Sequence, residues 1–310
     1  MAVAVAAAVW APSQHNTQPW RFRLVDGAIE VWSDPARRLP VADPGRWAAR
    51  IGCGAALGNA RLALAGAGRP ADLVIMPSRG ESDLVARLTP GAARAATPAE
   101  LALLRAVPRR RSTRGRFSGS PVPAAVRARM LEAVRSEGCW LDLIVGTPAV
   151  TAVAEIAHSA DRVLRRDERY RAEIEAWTRP APAIDGVPSE AAGPKADSAD
   201  VLPRRDFGGI DTKYPAKEVE PLVAVLGTPA DSAAEQVTAG QALQKLLLTV
   251  TDAGLASSLV SQPIEVPAAR EQLRLALGRH GPPQMVVRIG YAAPGAATPR
   301  RPAGSVIVAG

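Results

Sequence analysis

The sequence predicts an α+β protein whose single chain carries two related halves, and three observations support this. Positions 54–77 align without gaps on positions 240–263, with identical pairs at Gly54/Gly240, Ala56/Ala242, Leu57/Leu243, Leu62/Leu248, Ala67/Ala253, Gly68/Gly254, Leu73/Leu259, Val74/Val260 and Pro77/Pro263. About two such identities are expected by chance in so Ala- and Leu-rich a chain, so the match reads as a duplication of a helix, a glycine stop and a strand. Apolar helices alternate with short strands on both sides of the repeat. Residues 178–215 break that rhythm: they are rich in Pro, Gly, Asp and Ala without periodicity, the character of a lid, binding loop or linker. The chain therefore divides into an N-terminal half over 1–107 and a C-terminal half over 108–310, the latter with a lid inserted at about 178–215. A fused homodimer is the natural reading, and a monomer the expected state.

The elements follow in order. An apolar helix over 2–9 lacks the basic flank of a signal peptide. Strands over 20–25 and 28–32 flank Asp26-Gly27, a tight hairpin signal. A long apolar helix spans 43–68, with strands near 73–76 and 83–88 and a short helix over 98–107. The second half begins with a helix over 123–137, a strand over 140–145 and one long helix over 148–177. Beyond the lid come a strand at 222–226, a helix at 232–253, a strand at 255–261, a helix at 268–277 and a strand at 285–291. Small residues at Gly54 and Gly58 suit close helix packing across a pseudo-twofold axis.

Composition narrows the function. The formal net charge of +8 attracts anions. The basic doublets and triplets are nevertheless interleaved with acids and accompanied by no zinc-finger, aromatic-rich or basic-helix motif, so no nucleic-acid partner is expected. No window has the length and apolarity of a membrane span, and a cytoplasmic location without membrane attachment is expected. Two cysteines stand far apart, at 53 and 139, and the three histidines are scattered, so no local metal site is expected. The stretch from Gly52 to Leu57 faintly resembles a dinucleotide fingerprint, but it has Leu57 where the third glycine belongs and lies inside a helix, so helix packing explains it better.

Three polar segments remain. Pro12-Ser13-Gln14-His15-Asn16-Thr17-Gln18-Pro19-Trp20 offers hydroxyl, amide and imidazole groups suited to the edge of a planar heterocycle; it also reads as a turn satisfying its own backbone, the preferred reading on composition alone. Arg110-Arg111-Ser112-Thr113-Arg114 matches the geometry and charge of a phosphate, with a solvated basic loop about as well supported. Thr298-Pro299-Arg300-Arg301 is a basic pair that on its own reads as surface.

Together these segments resemble the FMN-dependent nitroreductase superfamily. Residues 12–20 are similar to its P-S-S-x-N-x-Q-P-W loop, 110–114 to its R-R-S-x-R phosphate motif, Pro263-Ile264-Glu265 to the P-I-E segment beside flavin N5, and Arg300 and Arg301 to its basic C-terminal residues. The order of motifs, with Trp177 and the segments 185–188 and 205–208, resembles the single-chain, pseudo-dimeric Acg-like branch. The resemblance implies a nitroreductase fold and one FMN per chain. Arg110, Ser112, Arg114, Arg301 and also Arg300 would be at the phosphate, Pro12, Ser13, Gln14, His15 and Asn16 along the ring and ribityl, and Pro263, Ile264 and Glu265 beside N5. It implies transient reduction by NAD(P)H and a small electron-poor acceptor such as a nitroaromatic or quinone. The flavin carries the chemistry and no side chain is expected as an essential acid or base. A permanently closed lid would instead leave an FMN-binding or sequestering protein.

Overall fold

A computed structural model describes residues 1–78, 80–180, 182–195, 200–209, 221–293 and 295–308. Residues 181, 196–199 and 210–215 of the expected lid lie outside the described residues. The first half comprises α1 (Ala2–Ala8), β1 (Trp20–Val25), β2 (Ala28–Ser33), α2 (Trp47–Gly66), β3 (Ala71–Ile75), β4 (Leu84–Pro90) and α3 (Pro98–Ala106). Asp26 and Gly27 both adopt positive φ at the β1–β2 hairpin, the turn that matches strand twist. The second half runs through α4 (Ala124–Arg135), β5 (Trp140–Ile144), α5 (Thr147–Arg166), α6 (Glu168–Ala176), β6 (Thr178–Arg179), β7 (Val187–Pro188), α7 (Ser189–Ala192) and β8 (Leu222–Gly227). It continues with α8 (Ala233–Asp252), β9 (Ala256–Val260), α9 (Gln262–Glu265), α10 (Pro267–Ala276), β10 (Pro283–Gly290) and α11 (Ala303–Val306).

Two boundaries differ from expectation, each for a local reason. The helix expected from residue 43 starts at Trp47, because the Asp43 carboxylate accepts the backbone N–H groups of Ala48 and Ala49 from outside the helix. The helix expected over 148–177 is two helices. Asp167 turns extended (φ −77°, ψ 115°) and its side chain accepts from Arg169 N–H, capping α6.

Each half builds a four-stranded antiparallel sheet, ordered β1-β2-β4-β3 in the first and β5-β8-β10-β9 in the second. Excluding the two-residue strands β6 and β7, both sheets place their strands first-second-fourth-third. The repeated segments occupy corresponding places, α2 with β3 and α8 with β9. The halves meet along α2 and α8, where a Cβ on Gly54 would lie 3.0 Å from Gly240 Cα and against the Val237 carbonyl. Only hydrogen at both positions allows this crossing. Two further links fasten segments to sheet edges, the first within the second half and the second between the halves. Thr113 N–H donates to Ser257 O (2.8 Å), fastening the arginine motif beside β9, and Val308 N–H donates to Phe22 O (2.9 Å), fastening the C-terminal segment beside β1.

Candidate cofactor site

The polar loop enters from the first half under strain. His15, Asn16 and Gln18 all hold left-handed φ (51°, 56° and 52°), a conformation that costs non-glycine residues about 1 kcal/mol or more each and persists only where surroundings enforce it. They do so here. Gln18 N–H donates to Ser13 Oγ (2.8 Å), Gln18 Nε2 to Ile184 O (2.8 Å), and Asn16 Nδ2 to both Gly186 O (2.8 Å) and Pro299 O (3.0 Å). Below the loop, a Cβ on Gly52 would sit 3.2 Å from Pro19 Cγ, so α2 supports the loop through a bare backbone.

Opposite stands the arginine motif. Arg110 is 3% exposed, the one hydrogen bond of its guanidinium among the described residues is a long one to Ser112 Oγ (3.5 Å), and its Nε has no partner. Arg300 Nη1 donates to Asn16 Oδ1 (3.0 Å) and Thr298 Oγ1 (2.7 Å), while its Nε is also unpartnered. Burial, reinforced by the neighbouring Arg300, Arg111 and Arg114, pushes the Arg110 guanidinium down to about 9. Burial likewise lowers Arg114 and Arg300 to about 10, with Arg205 and Arg111 as their respective like-charged neighbours. Buried like charges with idle donors form a cradle for an anion. Pro12 to Asn16, Arg110, Ser112, Arg114 and Arg300 line one cavity with Trp47 and Phe207. The Gln14 carboxamide is there too, both of its polar atoms buried and without partner.

Other expected residues stand apart from the cavity. Arg301 turns away: its backbone N–H donates to Gln18 Oε1 (2.8 Å), and its guanidinium reaches the carbonyls of Gln18, Trp20 and Ser305 and approaches Asp34 (4.0 Å). Pro263, Ile264 and Glu265 lie in the short helix α9, which directly follows β9. The adjoining Ser261 and Gln262 line the cavity, while Ile264 packs into the core. The buried Glu265 carboxylate is ion-paired with Arg205 and accepts from Tyr170 OH (3.1 Å).

The chain is similar in sequence to proteins of Mycobacterium tuberculosis along most of its length. A protein of Mycobacterium tuberculosis strain H37Rv provisionally named as an NAD(P)H nitroreductase is 33% identical over 312 residues, covering 97% of this chain and 88% of its own. Another from that strain, provisionally named NAD(P)H nitroreductase acg, is 30% identical over 308 residues, covering 96% and 92%. The chain belongs to this NAD(P)H nitroreductase family. No family model matches it. Among solved structures, an FMN-bound nitroreductase from Bacteroides fragilis is 16% identical over 64% of this chain and 93% of its own, with a TM-score of 0.40.

In this nitroreductase-family chain, the described part of the segment after α6 lies across the cavity. Gly186 N–H donates to Asn16 O (3.2 Å) and Arg37 pairs with Asp185 (2.9 Å). Arg204, paired with Asp200, donates to Arg114 O (2.9 Å). Arg114 in turn donates to Ala191 O (2.7 Å) and stacks 5.1 Å from the Phe207 ring centroid. Arg205 reaches furthest in, 3.2 Å from His15 Nε2 and 3.2 Å from Ser261 Oγ as well as on Glu265. Burial tends to lower the Arg205 guanidinium, but Glu265 and Tyr170 more than reverse this and raise it. His15 is pushed well down by burial, then by Arg205 and Arg114, and is neutral at pH 7. Sequence reasoning picked out 205–208 for its resemblance but gave Arg205 no place in the site, because the doublet at 204–205 sits in an aperiodic stretch with no signal of what it touches.

Proposed function

We propose that this chain is an FMN-dependent NAD(P)H oxidoreductase of nitroreductase type, working in the cytoplasm as a monomeric, fused pseudo-dimer with one flavin per chain. One observation carries the reading: the buried, underbonded guanidinium of Arg110, crowded by further arginines and faced by the strained 12–16 loop of the other half. The donors fit a phosphate in number, charge and idle capacity. Arg110, Ser112, Arg114 and Arg300 would hold it, and Arg301 is assigned instead to anchoring the tail on β1. Ser13, Gln14 and Asn16 would serve the ribityl and ring, with Ser261 and Gln262 at the ring edge. Bound there, FMN supplies hydride chemistry between NAD(P)H and an electron-poor acceptor such as a nitroaromatic or quinone. The side chains orient the cofactor, exclude water and set the charge around it; none is assigned as an acid or base. The matching strand orders of the two sheets and the Gly54–Gly240 crossing support the duplication. The buried free thiols of Cys53 and Cys139 suit a reducing compartment.

The test is an absorbance spectrum of the purified protein, with flavin quantified per chain, before and after anaerobic NADPH. A yellow protein bleached by NADPH, with one FMN per chain, is expected. Colourless protein that binds no added FMN refutes the reading, and two FMN per chain refutes the asymmetric site. The bonds from Asn16, Gln18 and Arg37 to residues 184–186 favour a second reading, a closed lid and an FMN-sequestering protein. A yellow colour that survives excess anaerobic NADPH would select it.

A further inference from the structure

A hollow of about 200 Å³ is walled by the C-terminal half of α2 and by α8, and none of its lining residues lines the cofactor cavity. An apolar cavity of about 150 Å³ accepts benzene, so this one takes a body of that size with a small polar group or two. Its apolar walls include Leu62, Leu103 and Leu248. The room comes from an asymmetry in the repeat. Gly58 and Gln244 hold equivalent positions at the offset of 186, and both line the hollow. A Cβ on Gly58 would lie 3.6 Å from Gln241 Cα and 3.7 Å from Gln244 Cβ, ordinary contact distances. The helix crossing therefore does not require glycine there, and what the bare backbone provides is space.

One polar group in this wall has no protein partner. Gln244 is 1% exposed, and its Oε1 is buried without a hydrogen bond. A relay fixes the orientation of that carboxamide. Asn59 Nδ2 donates to the Ala7 carbonyl (3.0 Å), which can only accept, so Asn59 turns Oδ1 to Gln244 Nε2 (2.7 Å). The nitrogen arm of Gln244 thus faces Asn59, outside the lining, and the oxygen arm is left to the hollow. A buried acceptor in that position calls for an O–H or N–H donor.

The charges define the rest of the ligand. Glu137 accepts from Arg61 Nη1 (2.9 Å) and Lys245 Nζ (3.0 Å). Burial works to raise its pKa, but the two cations hold it below the ordinary carboxylate value, so it is ionised. Arg94 and Glu100 cancel as a two-point pair. One positive charge is left over on Arg61 and Lys245, and Arg61 Nη2 and Nε have no hydrogen-bond partner among the described residues. That surplus favours a carboxylate and repels an ammonium, so the donor that reaches Gln244 is uncharged. We propose that this hollow binds a small monocarboxylate with a compact apolar body and a hydroxyl group. Its carboxylate lies on Arg61 and Lys245, its body against the leucines, and its hydroxyl donates to Gln244 Oε1. The site stands apart from the oxidoreductase reading and does not depend on it.

The test is a calorimetric titration of 2-, 3- and 4-hydroxybenzoate, each separately, into the purified protein, with benzoate as the control that lacks the hydroxyl. At least one isomer is expected to bind at one per chain, at least tenfold tighter than benzoate, without shifting the absorption band of bound flavin. Gly58→Met runs a side chain into the hollow and is expected to weaken that isomer at least tenfold. Lys245→Met removes the surplus charge and is expected to weaken it severalfold. Both variants should keep the wild-type flavin content and circular dichroism spectrum. Binding of none of the isomers would mean that the hollow holds water only, and overturns the proposal. Wild-type affinity in folded Gly58→Met places the ligand elsewhere and overturns it too. Benzoate binding as tightly as the hydroxybenzoate overturns the role of Gln244, and wild-type affinity in Lys245→Met overturns that of the cation pair. Colourless protein with the expected pattern would refute the cofactor assignment and leave this site standing.

Discussion

Replacing Arg110 with methionine should move cofactor affinity and cofactor-free stability in opposite directions. Methionine retains much of the apolar stem and removes the charge. Moving a guanidinium from 12.5 to about 9 corresponds to on the order of 5 kcal/mol of penalty for holding that charge in the folded protein. The sign follows from proton linkage. Between about pH 9 and 12.5 the unfolded chain holds a proton that folded Arg110 has shed, so stability rises with pH through that window. Below about pH 9 the whole penalty is present. At pH 7.5 Arg110→Met should therefore raise the melting temperature of flavin-free protein by several degrees, even after local relaxation reduces the gain to a few kcal/mol. The same change removes a charge-assisted donor from the phosphate, costing about 1.5–3 kcal/mol, or roughly a tenfold to 150-fold rise in the Kd for FMN. Differential scanning fluorimetry of the flavin-free protein and a fluorescence titration with FMN give the two numbers. An unchanged Kd, or a flavin-free melting temperature that falls, would show that the Arg110 guanidinium does not await an anion.

Three further outcomes are expected. Gly54→Ala drives a methyl against the Val237 carbonyl and should cost about 3 kcal/mol by urea denaturation; a change below 1 kcal/mol would mean that the helix crossing yields. His15 resists protonation while its unfolded counterpart accepts a proton near pH 6.5, so stability should decline as pH falls below 6.5. In His15→Asn that part of the decline should vanish, and a pH profile identical to wild type would contradict the assignment. Glu265→Gln leaves Arg205 buried without its carboxylate and should destabilise by about 3–5 kcal/mol, with much of the loss recovered by adding Arg205→Met, as a denaturation cycle would reveal.

Local chemistry made most of the fold legible. The Asp26-Gly27 turn, the α2 and α8 helices and the glycines that follow them are written in short-range patterns, and the structure keeps them within a few residues. What misled was chemistry that reaches outside its own segment. Asp43 caps α2 from four residues upstream of its start, and Asp167 offers its carboxylate to the backbone of a new helix where apolar spacing alone suggests continuation. At the site, the loop and arginine motif were visible because unusual residue types cluster in each. The sequence reading placed Arg301 at the phosphate ahead of Arg300, but the two are adjacent and chemically equal, and only the path of the tail turns Arg300 toward Asn16 and Arg301 toward the backbone of β1. Arg205 and Phe207 stood out only as part of the segment 205–208 that marks the Acg-like resemblance, and no site role could be read for them, because their partners lie on chain segments far away in sequence.

The route of the C-terminal segment has a mechanical consequence. It leaves the second sheet after β10, passes Asn16 with Arg300, and is buckled onto β1 by Val308 and the Ile307–Phe22 bridge. Arg300 is thus a stud on a strap fastened at both ends, and its position depends on the far buckle as much as on its immediate neighbours. Anything that competes for the free edge of β1 would slacken the strap and reach the anion cradle from a distance, without touching one of its side chains.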